Sequence, residues 1–244
     1  MSEGKTIAMW SGPRNISTAM MYSFDNRDDC YATDEPLYAH FLMSTGAHHP
    51  GAKEVMKNHD TDFESVISHL TGPIPGGKPI WYQKHMCHHV MGNSDISWIG
   101  GLTNCFLIRD PREVLLSLSK ITDSIDLMST GLPQQIRIVE YLRGESGHNP
   151  LIFDSNEILE DPIALLRKLC DSLGIRFDEK MIYWDPGPRN CDGVWAKYWY
   201  DSVWSSSGFA PPSKRDGDLN ATLSRVLEEA EPLYQKLRDI RISV

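Results

Sequence analysis

Residues 7–24 read IAMWSGPRNISTAMMYSF, and this stretch decides the fold. Its apolar start has the length of a buried β-strand, and the turn residues SGPRN bring that strand to an end. Ile16, Ala19 and Met20 then recur at the spacing of one helical face. A buried strand, a tight turn and an amphipathic helix in this order indicate the first unit of a parallel α/β sheet.

The same unit recurs twice along the chain. Apolar runs at 103–108 and 150–154 are each followed by a helical pattern, and Pro111 stands at the start of the first of these helices. Repeated strand–helix units predict a three-layer α/β/α fold around a central parallel sheet, formed by residues 1–244 as a single domain. A further strand is predicted at 80–85, and further helices at 36–46, 61–70, 133–145, 161–175 and 218–239.

The composition argues against several classes of partner. The 244 residues carry a net charge of −9, which disfavours a general nucleic-acid binder and a protein that docks on anionic membranes. No window approaches the roughly 18 consecutive apolar residues of a transmembrane helix, and the amino terminus lacks the features of a signal peptide. The five cysteines are scattered without a CxxC pair, as in a reducing compartment. We therefore expect a cytoplasmic chain with no nucleic-acid and no membrane partner.

The turn after the first strand is a natural anion site, because its backbone N–H groups converge and the helix dipole adds about half a positive charge. The Walker A loop of ATP and GTP hydrolases requires G-x-x-x-x-G-K-[ST]. Counted from Gly12, this sequence has Ser17 in place of the second glycine, Thr18 in place of the lysine and Ala19 in place of the hydroxyl residue. Magnesium-dependent hydrolysis of ATP or GTP is therefore disfavoured.

What remains in this turn is a cation followed by two hydroxyl groups. Arg14 can fork onto two oxygens of a tetrahedral anion, while Ser17, Thr18 and backbone amides donate further hydrogen bonds. The alternative interpretation is a surface salt bridge for Arg14 and a simple helix-capping role for Ser17.

The segment FLIRDPREVLLSL, residues 106–118, has a similar character. Arg109 ends a buried strand, where an unpaired guanidinium is costly, so it must face a cleft or a partner. Ser117 follows roughly two helical turns later, and both residues can face the carboxyl edge of the sheet, where ligands of open α/β folds bind. Alternatively, Arg109 pairs with Asp110 or another nearby carboxylate, and Ser117 only fills space.

Together the two segments resemble the sulfotransferase superfamily, whose sulfuryl donor is 3′-phosphoadenosine 5′-phosphosulfate (PAPS). In that family a loop of the form P-[KR]-S-G-[ST]-T binds the 5′-phosphosulfate, and R-[DN]-P followed by a serine binds the 3′-phosphate. Residues 13–18 are similar to the first motif, with Ile16 in place of the glycine, and residues 109–111 with Ser117 are similar to the second. The resemblance implies a P-loop-like sulfotransferase fold and the following donor contacts: Arg14, Asn15, Ile16, Ser17, Thr18, Arg109 and Ser117.

Sulfuryl transfer needs a group that takes the proton of the acceptor hydroxyl. Glu35, just before a predicted helix, looks equivalent to the glutamate base of the tyrosylprotein branch of the superfamily. Cytosolic sulfotransferases instead carry K-x-H, with a histidine base and a lysine that steadies the bridging oxygen, whereas Lys84 and His85 are adjacent here. Adjacent strand residues point to opposite faces, so only one of the two can occupy the family position. We favour Glu35 as the base, assisted by Lys84 or His85; the alternative for Glu35 is a stabilising charge at a helix amino terminus.

A short histidine-rich segment follows the predicted strand at 80–85. It contains His85, Cys87, His88 and His89. Zinc sites usually take their ligands from separated pairs such as C-x₂₋₄-C and H-x₃₋₅-H, and this crowded segment has no distant partner pair. We therefore expect no metal.

Residues 184–217 are rich in glycine, proline, serine and aromatic residues. This composition predicts an ordered aromatic loop or lid, which either shelters the site from water or belongs to the core. In sulfotransferases a late basic loop that contains glycine closes over the 3′-phosphate. The sequence SKRDG is similar to it, which adds Arg215 to the implied donor contacts.

The sequence therefore predicts an enzyme, a PAPS-dependent sulfotransferase that moves a sulfuryl group to a hydroxyl of a small-molecule acceptor and releases 3′,5′-ADP. Two alternatives stand beside it: a metal-dependent nucleotide or small-molecule kinase with a degenerate loop, and a non-catalytic nucleotide-binding module. The acceptor is open among alcohols, phenols, sugars and peptides.

Overall fold

The computed structural model describes residues 4–92, 94–122, 124–212 and 217–243, and within them five parallel strands form a central sheet. The strands are β1 (Lys5–Ser11), β2 (Cys30–Asp34), β3 (Ile80–Met86), β4 (Thr103–Ile108) and β5 (Leu151–Asp154). Their order across the sheet is β2-β3-β1-β4-β5, and each neighbouring pair is parallel. The carboxyl ends of all these strands therefore lie along one edge, where ligands of such sheets bind.

Helices cover both faces of the sheet. They are α1 (Ser17–Asp25), α2 (Tyr38–Thr45), α3 (Ala52–Asn58), α4 (Phe63–Leu70), α5 (Pro111–Leu118), α6 (Leu132–Gly144), α7 (Ser155–Glu160), α8 (Pro162–Leu173), α9 (Ala196–Trp199), α10 (Asp201–Trp204) and α11 (Ala221–Arg238). In the part of the chain that the structure describes, no helix has the length and apolar character needed to cross a membrane.

Two apolar cores fill the space between the sheet and these helices. On one face, Ile7 and Met9 pack in a core with residues of α1, α2 and α8; on the other, Ala8 and Trp10 pack in a core with residues of α4, α6 and α11. The split follows from the two-residue period of a strand, which sends alternate side chains of β1 to opposite faces. The predicted three-layer α/β/α fold is thereby confirmed.

Local sequence sets the start of the helices that matter for the site. Pro111 opens α5, and the side chain of Asp110 accepts a hydrogen bond from the backbone N–H of Arg112. Pro162 opens α8, with Asp161 as its cap. Proline has no N–H to lose in the first helical turn, and a preceding aspartate satisfies a neighbouring one.

The differences from the sequence prediction lie in short elements. β2 is not predicted, because its sequence CYATD is short, has mixed polarity and lies at the edge of the sheet with β3 as its neighbour. The helices α3 and α7 have seven and six residues, too few to show a clear apolar period.

Candidate active site

The loop after β1 has the backbone shape of an anion-binding turn. Arg14 and Ile16 have positive φ values of 63° and 53°, whereas Asn15 between them does not. Such alternation points successive N–H groups into one concavity. Among the described residues no side chain caps the amino terminus of α1, and its first turn carries no acidic residue. Ile16, which replaces the glycine of the motif, adopts the left-handed backbone conformation that favours glycine.

Two glycines let a second turn pack against this loop. A Cβ atom at Gly12 would collide with the carbonyl oxygen of Thr130, and one at Gly131 would lie 2.8 Å from Gly12 Cα. On the other side, Ser155 Oγ donates a hydrogen bond to the carbonyl oxygen of Asn15 at 3.2 Å. The loop is thus held on one side by Ser155, which follows β5, and on the other by the turn before α6.

The two predicted anion segments meet in the structure. Arg14 Nε donates a hydrogen bond to Ser117 Oγ at 2.8 Å, although the two residues are 103 positions apart in the chain. Arg109 Nη1 donates to the carbonyl oxygen of Arg14 at 3.1 Å. Arg109 and Ser117 are both buried. We call Arg14, Arg109 and Ser117 the cationic cluster.

Arg109 also pairs with a carboxylate. Its Nε and Nη2 atoms each lie 2.8 Å from Glu113 Oε2, one turn along α5. Arg109 thus pairs with a nearby carboxylate, as the alternative interpretation of the sequence has it. The partner is Glu113, while Asp110 caps α5. A guanidinium has five N–H bonds, and three of those of Arg109 are used in these contacts among the described residues. The other two can bind an added anion.

Glu35 lies at the same edge of the sheet with a strained backbone. Its φ is 36°, and Arg14 and Ile16 are the other non-glycine residues with positive φ in the described ranges. Such residues cost roughly 1–3 kcal/mol each and concentrate at functional sites. The Glu35 N–H donates to the carbonyl oxygen of Lys84 at 2.9 Å, which fixes the turn after β2 to the end of β3.

Lys84 is the centre of a buried polar network. Its Nζ donates to Asp34 Oδ1 at 2.8 Å, to Glu35 Oε1 at 2.5 Å and to Tyr200 OH at 2.7 Å. Tyr200 OH donates in turn to Asp34 Oδ2 at 2.7 Å. Because an ammonium group has three N–H bonds, Lys84 is saturated by these partners. We call Asp34, Glu35, Lys84 and Tyr200 the buried tetrad.

Burial, and not the charges of the tetrad, makes Glu35 a stronger base than an ordinary glutamate. Burial raises the pKa of Glu35, and the nearby charge of Asp34 raises it further, while Lys84 acts in the opposite direction. Burial lowers the pKa of Lys84, but its two carboxylate partners outweigh that effect and the net shift is upward. Lys84 therefore stays charged, and Glu35 has the raised proton affinity of a general base.

The strand order sets the distances along the edge. Four neighbouring strands of the sheet are, in order, β2, β3, β1 and β4. Along the edge this gives the order Glu35 turn, end of the strand that carries Lys84, anion loop, Arg109. Neighbouring strands lie about 4.8 Å apart, so roughly 14 Å separate the first and last of these positions. Glu35 and Arg109 thus lie on opposite sides of the loop after β1.

His85 lies on the opposite face of β3. Its ring stacks on Trp10 with 4.3 Å between the centroids, and its Nε2 is 3.1 Å from Gln83 Oε1. Burial lowers the pKa of His85 to about 3. A neutral imidazole in the core is badly placed to assist at the sheet edge. Of the two predicted assistants, the geometry favours Lys84, and the suggestion of His85 needs correction.

The other histidines of this segment line the wall beside Glu35. The His89 ring stacks on Tyr38 at 4.6 Å, and its Nε2 lies 4.0 Å from Glu35 Oε2. Burial lowers the pKa of His88 to about 4 and also lowers that of His89. Across the residues placed by the structure, no group of three or more His, Cys, Asp or Glu side chains is arranged to hold a metal ion.

The aromatic segment is a fixed wall of the site in the part that the structure describes. The predicted aromatic loop contains two short helices, α9 and α10, and Trp195 and Tyr200 are buried. Asp192 fastens the segment to helix α1, because it accepts hydrogen bonds from Tyr22 OH at 2.8 Å and from Trp204 Nε1 of the segment at 3.0 Å. Arg215, the predicted contact in this region, lies outside the described residues.

Sequence reasoning missed Asp34 and Tyr200 as members of the site. Asp34 precedes Glu35 and looks like a helix cap, and Tyr200 is one of several aromatic residues in its segment. A signal was present in the pair Asp34-Glu35, because two adjacent carboxylates at a strand end need a shared cation when they are buried. Nothing in the sequence points to a tyrosine so far along the chain.

Comparisons with known proteins point to one family. The family model described as "Sulfotransferase domain" matches residues 5–240. "Branched-chain-amino-acid aminotransferase-like protein 2" of Arabidopsis thaliana is 37% identical over 234 residues, which are 96% of this chain and 41% of that protein. The chain thus spans about two fifths of the length of the curated relatives it matches.

Two solved structures share the fold at low sequence identity. A sulfotransferase from Alicyclobacillus acidocaldarius has a TM-score of 0.57 and 10% identity, over 100% of this chain and 98% of that one. A sulfotransferase domain from the curacin biosynthetic pathway has a TM-score of 0.53 and 12% identity, over 93% of this chain and 98% of that one.

Proposed function

The chain belongs to the sulfotransferase family, and we propose that it moves a sulfuryl group from PAPS to a hydroxyl of a small-molecule acceptor. The observation that carries the proposal is the contact between the two anion segments, Arg14 Nε to Ser117 Oγ, on the edge that also holds Glu35. One dianionic group at the cationic cluster and another at the loop match a nucleotide that has phosphate at both its 3′ and 5′ positions.

The residues present suit such a donor. The N–H groups of the loop, from Asn15 to Thr18, and the amino terminus of α1 would bind the 5′-phosphosulfate. Arg109 and Ser117 would bind the 3′-phosphate. Arg14 would join them there, because its side chain contacts Ser117, whereas the family resemblance assigns it to the phosphosulfate. This reassignment is the one change that the geometry makes to the implied donor contacts.

Glu35 is the proposed base of the reaction. It takes the proton of the acceptor hydroxyl as the acceptor oxygen forms a bond to sulfur. The bond between sulfur and the bridging oxygen breaks, its electrons stay on that oxygen, and 3′,5′-ADP leaves. The loop N–H groups stabilise the charge that develops there. Lys84 holds Glu35 in position and contributes positive charge nearby.

The names of the curated relatives support no aminotransferase activity here. They describe whole proteins of which this chain matches about two fifths, and the matched region carries the sulfotransferase model. Lys84, the buried lysine of the site, is saturated by protein oxygens among the described residues. We propose the cytoplasm as the location, since all five cysteines are free thiols.

A nucleotide screen tests the donor assignment. We expect 3′,5′-ADP to raise the melting temperature of the protein more than ADP or AMP, because it alone has a phosphate at both the 3′ and the 5′ position. This stabilisation should not need magnesium. Radiolabelled PAPS with a panel of alcohols, phenols and sugars then tests transfer. Magnesium-dependent stabilisation by ATP with no response to 3′,5′-ADP would support the kinase alternative. Binding of 3′,5′-ADP without transfer to any acceptor would support the non-catalytic module.

A further inference from the structure

The two adjacent carboxylates of the site, Asp34 and Glu35, differ in burial and in hydrogen-bond partners. Asp34 is 1% exposed and accepts hydrogen bonds from Lys84, Tyr200 and the backbone N–H of Gly193. Glu35 is 11% exposed and accepts the short hydrogen bond from Lys84. One carboxylate is therefore saturated and sealed, and the other faces the sheet edge.

A single ammonium group bridges the two. Lys84 contacts Asp34 and Glu35 at the same time, and the Tyr200 hydroxyl closes a ring by accepting from Lys84 and donating to Asp34. Two carboxylates and one ammonium leave one excess negative charge in a buried site. Asp34 has the larger set of donors, so Glu35 is the carboxylate whose negative charge is less well compensated.

We propose that Asp34 and Tyr200 are positioning residues, which rests on the proposed function: by sharing Lys84 between two carboxylates they set the strength of Glu35 as the base for sulfuryl transfer. Neither has to touch donor or acceptor. With Asp34 neutral, Lys84 would pair with Glu35 alone and make it a weaker base. Without the Tyr200 hydroxyl, the ionised pair of carboxylates would lose a donor and Glu35 would become a stronger one.

Several other titratable groups lie near the tetrad and keep a constant charge near pH 7. His88 and His89 lie beside the tetrad, and burial lowers the pKa of both, so they are neutral near pH 7. Burial raises the pKa of Tyr38, so this phenol is also neutral. The groups that face Glu35 from each packed element are Asp34 on β2, Lys84 on β3, Tyr38 on α2, His89 after β3 and Tyr200 between α9 and α10, while His88 lies near Lys84.

The test measures the titration of Glu35 directly, without donor or acceptor. Protein labelled with ¹³C at the glutamate carboxyl carbon is titrated by NMR, and Glu35→Gln identifies the Glu35 signal. We expect Asp34→Asn to lower the titration midpoint of Glu35 by about one pH unit, tenfold in its acid dissociation constant. Tyr200→Phe should move the midpoint in the opposite direction, because the Tyr200 hydroxyl favours the ionised form of Glu35.

Tyr22→Phe is the matched control. Tyr22 also donates its hydroxyl to a carboxylate, Asp192, and anchors the same aromatic segment, but it is not a member of the tetrad. A midpoint that is unchanged in Tyr200→Phe, or that moves equally in Tyr200→Phe and Tyr22→Phe, would overturn the proposal. Tyr200→Phe removes one hydroxyl only, so it decides the matter even if Asp34→Asn fails to fold.

The result is separable from the fate of the proposed function. The titration needs no PAPS, so midpoints that move as expected in a protein that does not bind 3′,5′-ADP would contradict the donor assignment and leave the network intact. Binding of 3′,5′-ADP with an unresponsive midpoint would contradict the network alone.

Discussion

The two halves of the site are built in opposite ways. The anion half, on β1 and β4, combines the loop after β1 with the cationic cluster, and two N–H bonds of Arg109 are left for a ligand among the described residues. The base half, on β2 and β3, is the buried tetrad, in which Lys84 has used all its N–H bonds on protein oxygens. One half is prepared to bind a charged group, and the other to hold a proton acceptor.

This difference separates binding from chemistry. A ligand phosphate can exchange with or add to the partners of Arg109, because Glu113 and the Arg14 carbonyl occupy only part of the guanidinium. A ligand cannot reach the ammonium of Lys84 without breaking a buried ion pair, which is strongly destabilising. Substitutions in one half should therefore leave the other half's measurement unchanged.

The largest expected effect is on the base half. Glu35→Gln keeps the size of the side chain but removes the proton acceptor, so we expect sulfuryl transfer from radiolabelled PAPS to fall by about 10²–10⁴-fold. The affinity for 3′,5′-ADP in calorimetry should change by less than about threefold, since Glu35 lies roughly 14 Å from Arg109. Glu54→Gln, an exposed glutamate paired with Lys197, is the control and should retain transfer. Equal losses in binding and transfer for Glu35→Gln would show that the two halves are not separable.

The anion half should give a smaller effect of the opposite kind. Arg109→Ala removes a charge-assisted contact worth about 1.5–3 kcal/mol, so the Kd for 3′,5′-ADP should rise by roughly 10–100-fold. The Kd for AMP, which has no 3′-phosphate, should barely change. Arg143→Ala, which removes an exposed arginine at the end of α6, is the control and should leave both affinities unchanged. If Arg109→Ala weakens AMP and 3′,5′-ADP equally, Arg109 does not bind the 3′-phosphate.

The fold could be predicted because it is encoded locally. The strand–turn–helix units around Gly12, Pro111 and Pro162 carry their own apolar period, the last two also carry an aspartate cap, and all three appear in the structure. β2 could not be predicted, because an edge strand of mixed polarity derives its pairing from β3 and not from its own sequence. Short helices such as α7 are missed because six residues are too few to show an apolar period.

The two halves of the site also differ in how far local sequence predicts them. The anion half follows from local motifs, in which Arg14 and Arg109 stand next to a predicted strand end. The sequence could not show that Arg14 turns to Ser117, since this depends on the positive φ of Arg14. The tetrad unites Asp34, Lys84 and Tyr200, which only tertiary packing brings together.

The smallest effect, counted per pH unit, concerns His85, which lies on the face of β3 opposite Lys84. Burial lowers the pKa of His85 from its ordinary value of 6.5 to about 3, so the unfolded chain binds a proton near pH 5 that the folded chain does not. Because of His85 the folded protein therefore loses stability as the pH falls from 6.5 toward 3, by at most about 1.4 kcal/mol per pH unit.

We expect His85→Phe, which keeps an aromatic ring on Trp10, to flatten this part of the pH dependence of the unfolding free energy, measured by urea denaturation between pH 4 and 7. Met43→Phe, at an exposed position without a titratable group, should leave the slope as it is. An unchanged slope in His85→Phe would mean that His85 is charged in the folded protein. It would then be accessible to protons, and its place in the apolar core, opposite Lys84 on the same strand, would be wrong.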